Sequence, residues 1–416
     1  MSTEAQPARA LTLAVVVASL GYLVDIYDLI LFSVVRIPSL TTLGVPESER
    51  ASVGLFLLNT QMIGMLIGGL VWGVLGDKRG RLTVLFGSIT MYSLANIANG
   101  FVDHAPAEHA VTTYAVLRFV AGIGLAGELG AGITLVSELV GKEARGYATT
   151  MVAGIGVFGA LIAFGVSRVA SWQAAYWFGG GMGLALLALR VGVLESGIFH
   201  RVKEDASLSR GNFLALFATR ARAIKYVAII VVGVPIWFAI GIPITLADAF
   251  GRDMLMDPVP SPAVAVVFAY SGLAIGSFGS GILSQVLGSR RRAITASLAL
   301  NLIALAVYFV VGRSSLFAFY AACTLLGIAN GYWAVFVTVA AEQFGTNVRA
   351  TATTTAPNFV RGSLTLVSLA YVTLQGAGVD VTTSGVITGA TVGVLALVAV
   401  LGIEETYGKD LDFVET

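Results

Sequence analysis

Among the ionisable residues that fall inside runs apolar enough to cross a bilayer, four stand out: Asp25 and Asp28 within 10–37, and Arg118 and Glu128 within 112–138. Even mild insertion scales charge roughly 2.5–3.5 kcal/mol for one such group near the centre of hydrocarbon. Carboxylates and a guanidinium kept there point to proton binding, ion pairing or contact with a charged solute. Asp25 and Asp28 are three apart and share a helix face. With the first run leading outward, Asp25 lies near mid-depth and Asp28 about 5 Å further out. The fourth run returns, which puts Arg118 in its outer half and Glu128 about 15 Å deeper. The expected chemistry is a breakable Asp28/Arg118 pair in which a proton on Asp28 releases Arg118, the balance between burial and the neighbouring cation setting when this happens. Glu128 is a second proton carrier nearer the inner exit, and Asp25 a third group lining the same cavity. The competing reading is an Asp/Arg pair that only fixes helix packing. His104, His109 and His200 fall in loops and no lysine falls in the interior of a run, so any proton coupling must use carboxylates.

The elements that position these groups follow from composition. Hydrophobic residues make up 56% of the chain and charged residues 12%, with mean hydropathy +0.86, whereas a soluble globule carries about a quarter charged residues. The expectation is an all-α integral membrane protein. Runs of about twenty apolar residues fall at 10–37, 51–76, 82–101, 112–138, 147–168, 174–194, 225–248, 262–287, 293–312, 315–341, 352–378 and 385–403. They are too long and too uniformly apolar for alternating barrel strands. Counting Lys and Arg with the amino terminus inside places seventeen on inner loops and tails and five outside, the latter being Arg36, Arg50, Arg168, Arg252 and Arg313. This bias predicts both termini in the cytoplasm of a multi-pass protein, most simply of a bacterial inner (plasma) membrane. The basic residues are scattered, so no nucleic-acid partner is expected. Cys323 stands alone in an apolar run and reads as core. Residues 1–9 are a polar tail preceding a run too long for a signal-peptide core.

The chain reads as a duplication. A charged stretch at 195–224 divides a bundle at 10–194 from one at 225–403, with a tail at 404–416. Gly73, Asp77, Gly80 and Arg81 after the second run return after the eighth as Gly281, Gln285, Gly288 and Arg290. Glu138 and Arg145 after the fourth return after the tenth as Glu342 and Arg349, again seven apart. Such landmarks in one order in both halves mark an internal repeat. Asp77, Arg81, Glu138 and Arg145 can form a charge cluster that closes the inner side. Its counterpart, with Gln285 in place of aspartate, should be weaker there and lean on Glu342 and Arg349. The simpler reading of the loop cations is that they only set topology. Small-residue spacings such as Gly64/Gly68 and Gly122/Ala126 suit close helix contact in lipid.

The Gly73 to Arg81 stretch resembles the signature between the second and third spans of the major facilitator superfamily. Asp25-Ile-Tyr27-Asp28-Leu29, Gly127-Glu128 with Glu138 and Arg145-Gly146, and Leu194-Glu195-Ser196 through Phe199 are similar to the metabolite:proton symporter branch. Glu405-Thr406-Tyr407-Gly408-Lys409 is similar to the ending of the sugar-porter relatives. The resemblance implies twelve transmembrane helices in two pseudo-symmetric six-helix bundles around a cavity that opens alternately to each side. It also implies a coupling role for the Tyr27-Asp28 and Arg118 positions, and an acidic residue at the Glu128 position.

Pro235 and Pro243 in the seventh run can free carbonyls toward a cavity. Tyr22, Gln61, Trp237, Tyr270, Asn330, Tyr332, Trp333, Asn358 and Arg361 are the candidate substrate contacts, although aromatic residues at such places more often pack than bind. The expected function is proton-coupled symport of a small polar metabolite, with Arg118 and Arg361 favouring an organic acid. An uncoupled facilitator or an exporter of a sugar or drug-like solute stays open, although Gly154, Gly156 and Gly159 in the fifth run come without the proline of drug antiporters. A non-transporting membrane sensor is the alternative of another class. No nucleophile/base set, metal-ligand spacing or phosphate-cradling glycine loop appears, so neither an enzyme, a metal, a cofactor nor ATP hydrolysis is expected. Partners reduce to a solute, protons and the bilayer, and a monomer is expected.

Overall fold

A chain in hydrocarbon must satisfy its backbone polar groups internally, and a run of twenty apolar residues does so as a helix. The computed structural model describes residues 5–79, 81–128, 142–195, 213–345 and 348–409. Its helices are α1 (Ala5–Thr42), α2 (Arg50–Arg79), α3 (Arg81–Asn99), α4 (Ala107–Leu125), α5 (Lys142–Val169) and α6 (Trp172–Glu195) in the first half. The second half holds α7 (Arg220–Ala239), α8 (Ala247–Asp253), α9 (Pro262–Val286), α10 (Arg290–Val310), α11 (Leu316–Asn330), α12 (Trp333–Glu342), α13 (Arg349–Gly376) and α14 (Val381–Ala399). Among the described residues these helices make twelve spans, because α7 and α8 form one crossing through a π turn at Ile240–Ile244, and α11 and α12 form another. Among the described residues, eight helical segments are long and apolar enough to cross a membrane on that ground alone.

The two halves repeat each other in packing as well as in order. Contacts of α1 with α5, α2 with α4, α3 with α4, and α3 with α6 return as α7 with α13, α9 with α11, α10 with α11, and α10 with α14. The bundles meet chiefly where α2 lies along α13 and α5 along α9. Helix starts in the second half follow local chemistry: Thr219, Ser289, Ser315 and Asp380 each accept a backbone N–H three residues on, satisfying donors that a first turn leaves open. At Pro243 the π turn frees a carbonyl, which accepts the Tyr308 hydroxyl at 2.8 Å.

Close approach at two glycines explains the tightness of each bundle. A Cβ on Gly122 would strike the Gln61 carbonyl of α2, and a Cβ on Gly327 would strike the Ala269 carbonyl of α9, the equivalent place in the other half. Backbone cannot yield as a side chain can, and overpacking costs about 1–3 kcal/mol. Gly122→Ala and Gly327→Ala should each lower the thermal unfolding midpoint in detergent. Gly165→Ala should not, because its Cβ would meet nothing within 4 Å.

Candidate functional site

The middle of α1 carries the site because it faces both bundles. Asp25 Oδ2 lies 3.4 Å from Arg361 Nη2 of α13, and both residues are fully buried. Aromatic faces flank that guanidinium, Trp237 of α7 at 5.6 Å and Trp333 of α12 at 5.8 Å from ring centre to Cζ. Trp333 Nε1 donates to the Tyr22 hydroxyl at 2.7 Å and stacks on Phe336. Tyr270 of α9 is within electrostatic reach of Tyr22, Asp25 and Arg361. Arg361 Nε and Nη1 and Asp25 Oδ1 are buried without a hydrogen-bond partner. A guanidinium offers five donors in a planar fork suited to carboxylate, so the site holds one buried cation with donors to spare and an aromatic wall on two sides.

The direct Asp28/Arg118 pair expected from the sequence is not formed in this conformation. Arg118 Nη2 donates to Gln61 Oε1, Nη1 reaches the Tyr176 hydroxyl at 3.4 Å, and its Cζ lies 4.8 Å over Phe32. These polar and π partners take the guanidinium away from α1's carboxylate. Asp28 is fully buried with neither oxygen hydrogen-bonded. Glu128 is held on both oxygens by Arg190 of α6, Nη1 to Oε2 at 2.9 Å and Nη2 to Oε1. Sequence reading leaves Arg190 unassigned, since its place near the end of a run gives no hint of a partner two spans away.

Of the nine candidate contacts, Tyr22, Trp237, Tyr270, Trp333 and Arg361 are gathered around Asp25, and the other four are engaged elsewhere. Gln61 is spent on Arg118. Asn330 accepts from Asn301 Nδ2 at 2.9 Å within the second bundle, and Tyr332 donates to the Val232 carbonyl at 2.7 Å. Asn358 Nδ2 bridges the bundles to the Ala126 carbonyl at 2.8 Å.

Among the gating candidates, Gly73 lies against Thr354 and Thr355 of α13. Gly80 and Glu138, and the side chains of Asp77, Arg81 and Arg145, lie outside the described residues. Gln285 is half-buried near the end of α9. Glu342 receives Arg290 Nε at 3.4 Å and the Thr406 hydroxyl at 2.8 Å, and Arg349 Nε donates to the Ala341 and Phe344 carbonyls at 3.1 and 3.2 Å. Arg290, counted in the sequence as a topology signal, is thus a structural partner of Glu342. Beside it Glu405 caps α10, taking the Ser289 hydroxyl and the N–H groups of Arg290 and Arg291. Partial burial would raise the Glu405 carboxyl, but these hydrogen bonds hold it below the usual range.

The largest correction concerns Arg36. Its place at the edge of the first run assigns it to an outer loop, yet it lies within α1, is fully buried, and forms an ion pair with Asp248 of α8. Asp248 Oδ2 also takes Arg252 Nη2 at 2.8 Å, and Arg252 Nη1 reaches Glu47 at 3.1 Å. One turn deeper, Thr245 Oγ1 bonds Ser33 Oγ at 3.0 Å. This chain of polar contacts shuts the gap between bundles on the face that carries the α1–α2 connection.

Comparison with known proteins adds the family. The sequence model described as Major Facilitator Superfamily matches residues 18–368. The chain is 28% identical over 309 residues to the 3-(3-hydroxy-phenyl)propionate transporter of Escherichia coli (strain K12), covering 72% of each protein. It is 31% identical over 178 residues to inorganic phosphate transporter 1-1 of Oryza sativa subsp. japonica, covering 39% of this chain and 33% of that one. A solved structure of the proton:xylose symporter XylE bound to 6-bromo-6-deoxy-D-glucose superposes with TM-score 0.73 at 16% identity, over 97% of this chain and 98% of that one. The last likeness speaks for the fold.

Two outcomes follow from the polar clusters. Removing one partner of a buried pair costs about 3–5 kcal/mol by leaving the other charge uncompensated. Asp248→Asn should therefore open the α1/α8 face, read as at least about tenfold faster modification of a cysteine at Ser33 by a water-soluble maleimide in a Cys323→Ala background. Glu405→Gln should flatten the acid limb of the stability profile. A carboxyl depressed by folding adds stability above its ordinary range and loses it as pH falls through the folded value, which unfolding midpoints across a pH series will read.

Proposed function

The chain belongs to the Major Facilitator Superfamily, and from that premise we propose that it is a proton-coupled symporter of a small organic acid, best a ring-bearing carboxylate. The single observation that carries this reading is Arg361, buried between Trp237 and Trp333 with two guanidinium nitrogens unpartnered and one carboxylate, Asp25, against the third. A substrate carboxylate takes the open side of the fork in a bidentate contact. Its ring lies along the indoles, where apolar walls with a few placed polar groups suit a small ligand. The relative that carries 3-(3-hydroxy-phenyl)propionate handles a solute of this class, and the relative that carries phosphate handles another oxyanion.

Coupling comes from competition. A second carboxylate on Arg361 leaves Asp25 in a poorly hydrated place without its full counter-charge, which is expensive for an ionised acid. A proton on Asp25 removes that cost, so substrate and proton bind together and leave together. Helices α1 and α13 belong to different bundles, so the pair also reports whether the bundles are apposed. With both termini cytoplasmic, the Arg36/Asp248 face is the outer one and the Arg290/Glu342 cluster lies inside. Arg118 and Glu128 then serve as positioning groups for α2, α4 and α6. This account moves the coupling acid from the Asp28 favoured by sequence to Asp25.

The test is uptake of a panel of radiolabelled aryl carboxylates, aliphatic acids and sugars into proteoliposomes. An inward pH gradient should drive accumulation of an aryl carboxylate. Arg361→Lys, which loses the planar fork, should cut uptake about 10- to 100-fold, the worth of a charge-assisted hydrogen bond. Asp25→Asn should abolish gradient-driven accumulation yet keep exchange of internal for external substrate. Undiminished accumulation by Asp25→Asn overturns the assignment of coupling to Asp25, no gradient-driven accumulation by the unaltered chain leaves an uncoupled facilitator, and a sugar as the sole substrate overturns the Arg361 assignment.

A further inference from the structure

Two indoles face the Arg361 guanidinium, and they differ in what their N–H groups do. Trp333 Nε1 donates to the Tyr22 hydroxyl at 2.7 Å. Trp237 Nε1 is buried with no hydrogen-bond partner, on a side chain that is 3% exposed. Most buried side-chain donors are paired, and one left unpaired costs the desolvation of its polar group. The transport reading above uses the Trp237 ring as a wall and leaves its N–H without a role. A substrate carboxylate held by Arg361 commits its oxygens to the guanidinium, so the indole donor calls for an acceptor elsewhere on the ligand.

The backbone holds this indole at the level of the cation. Gly233, Trp237 and Gly241 follow one another at intervals of four, one helical face of the seventh span. A Cβ at Gly233 would strike Val360, and one at Gly241 would strike Leu364. The face therefore lies against α13 one residue before and three residues after Arg361. With no side chain on either glycine, the indole alone projects between them, its ring centre 5.6 Å from Arg361 Cζ. Close contact on both sides keeps the ring, and the N–H on its edge, inside the cage formed by Tyr22, Asp25, Trp237, Trp333 and Arg361.

We propose that Trp237 Nε1 is a specificity donor that reads a hydrogen-bond acceptor on the ring of the substrate, so that the site selects arene carboxylates bearing a ring nitrogen or a ring-bound oxygen over plain hydrocarbon ones. The assignment rests on the organic-acid reading and narrows it. An apolar wall alone would favour the hydrocarbon ring, because a ring heteroatom gives up its water on entry. An unpaired buried donor reverses that order: a plain ring covers the N–H without satisfying it, and an acceptor satisfies it. An indole N–H only donates, so a substituent that is itself only a donor gains nothing there.

The experiment is a thermal-shift titration of the purified full-length protein in detergent at neutral pH with benzoate and the three pyridine carboxylates. These ligands are nearly equal in size and carry the acceptor at each ring position in turn. One pyridine isomer should bind about tenfold more tightly than benzoate to the unaltered chain. Trp237→Phe keeps an aromatic face over the cation and removes the N–H, so it should cost that isomer about tenfold more affinity than it costs benzoate. Trp333→Phe removes an N–H already engaged by Tyr22 and should weaken both ligands alike. Benzoate bound as tightly as every pyridine isomer by the unaltered chain overturns the proposal while leaving the organic-acid reading in place, and needs no variant that folds. Equal losses for the two ligands in Trp237→Phe overturn it as well, since the indole is then a wall only. Binding of none of the ligands, benzoate included, overturns the organic-acid reading and this assignment together.

Discussion

A guanidinium in the middle of a membrane needs a counter-ion, and the position of that counter-ion organises this molecule. Arg361 belongs to one bundle and Asp25 to the other. Their attraction is worth much more in an apolar interior than in water, yet it is bounded by the cost of stripping both groups of solvent. The tryptophans on either side limit water and give the cation a π surface. An interaction so placed cannot be only a packing device for a single bundle, because every motion of one bundle against the other stretches it. Its geometry also explains why α1 and α13 carry so many polar side chains for helices in lipid.

The architecture was legible because the physical constraints behind it are local. Twenty apolar residues make a span wherever they occur, and the repeated glycine-and-charge landmarks announced the duplication that the matched helix contacts display. Gly122 with its equivalent Gly327 shows the repeat reaching down to single backbone contacts. The candidate site was legible only as a set of residues, not as the cluster that the fold makes of five of them. Asp25, Tyr22, Trp237, Trp333 and Arg361 stood out as polar or aromatic groups in apolar runs. Their assembly joins the first, seventh, tenth and eleventh spans, and no spacing along the chain encodes which faces of those helices meet.

Arg118 and Arg36 illustrate the two ways in which such reading goes astray. For Arg118 the depth argument named a plausible carboxylate, but depth along the membrane normal does not fix rotation about a helix axis, and Gln61 and Tyr176 proved to be the partners. Arg36 sits where an apolar run ends, and a charge there is ordinarily a loop residue. Only the approach of α8 from the other bundle brings Asp248 close enough to bury it. Glu128 and Arg190 repeat the point within one bundle, both visible as charges and neither visible as a pair.

The Arg36/Asp248 contact has a consequence for efficiency. A carrier that relaxes easily between its two orientations with nothing bound dissipates the gradient it depends on or lets accumulated solute slip back. Here the bare protein must separate opposite charges at one end and another such couple at its centre before it can turn over empty. On the function proposed above, both separations would resist idle cycling, and only cargo that reaches the central couple would lighten one of them. The end contact touches no group of the central cage, so on that reading it would set a fixed threshold against leakage rather than a preference among solutes.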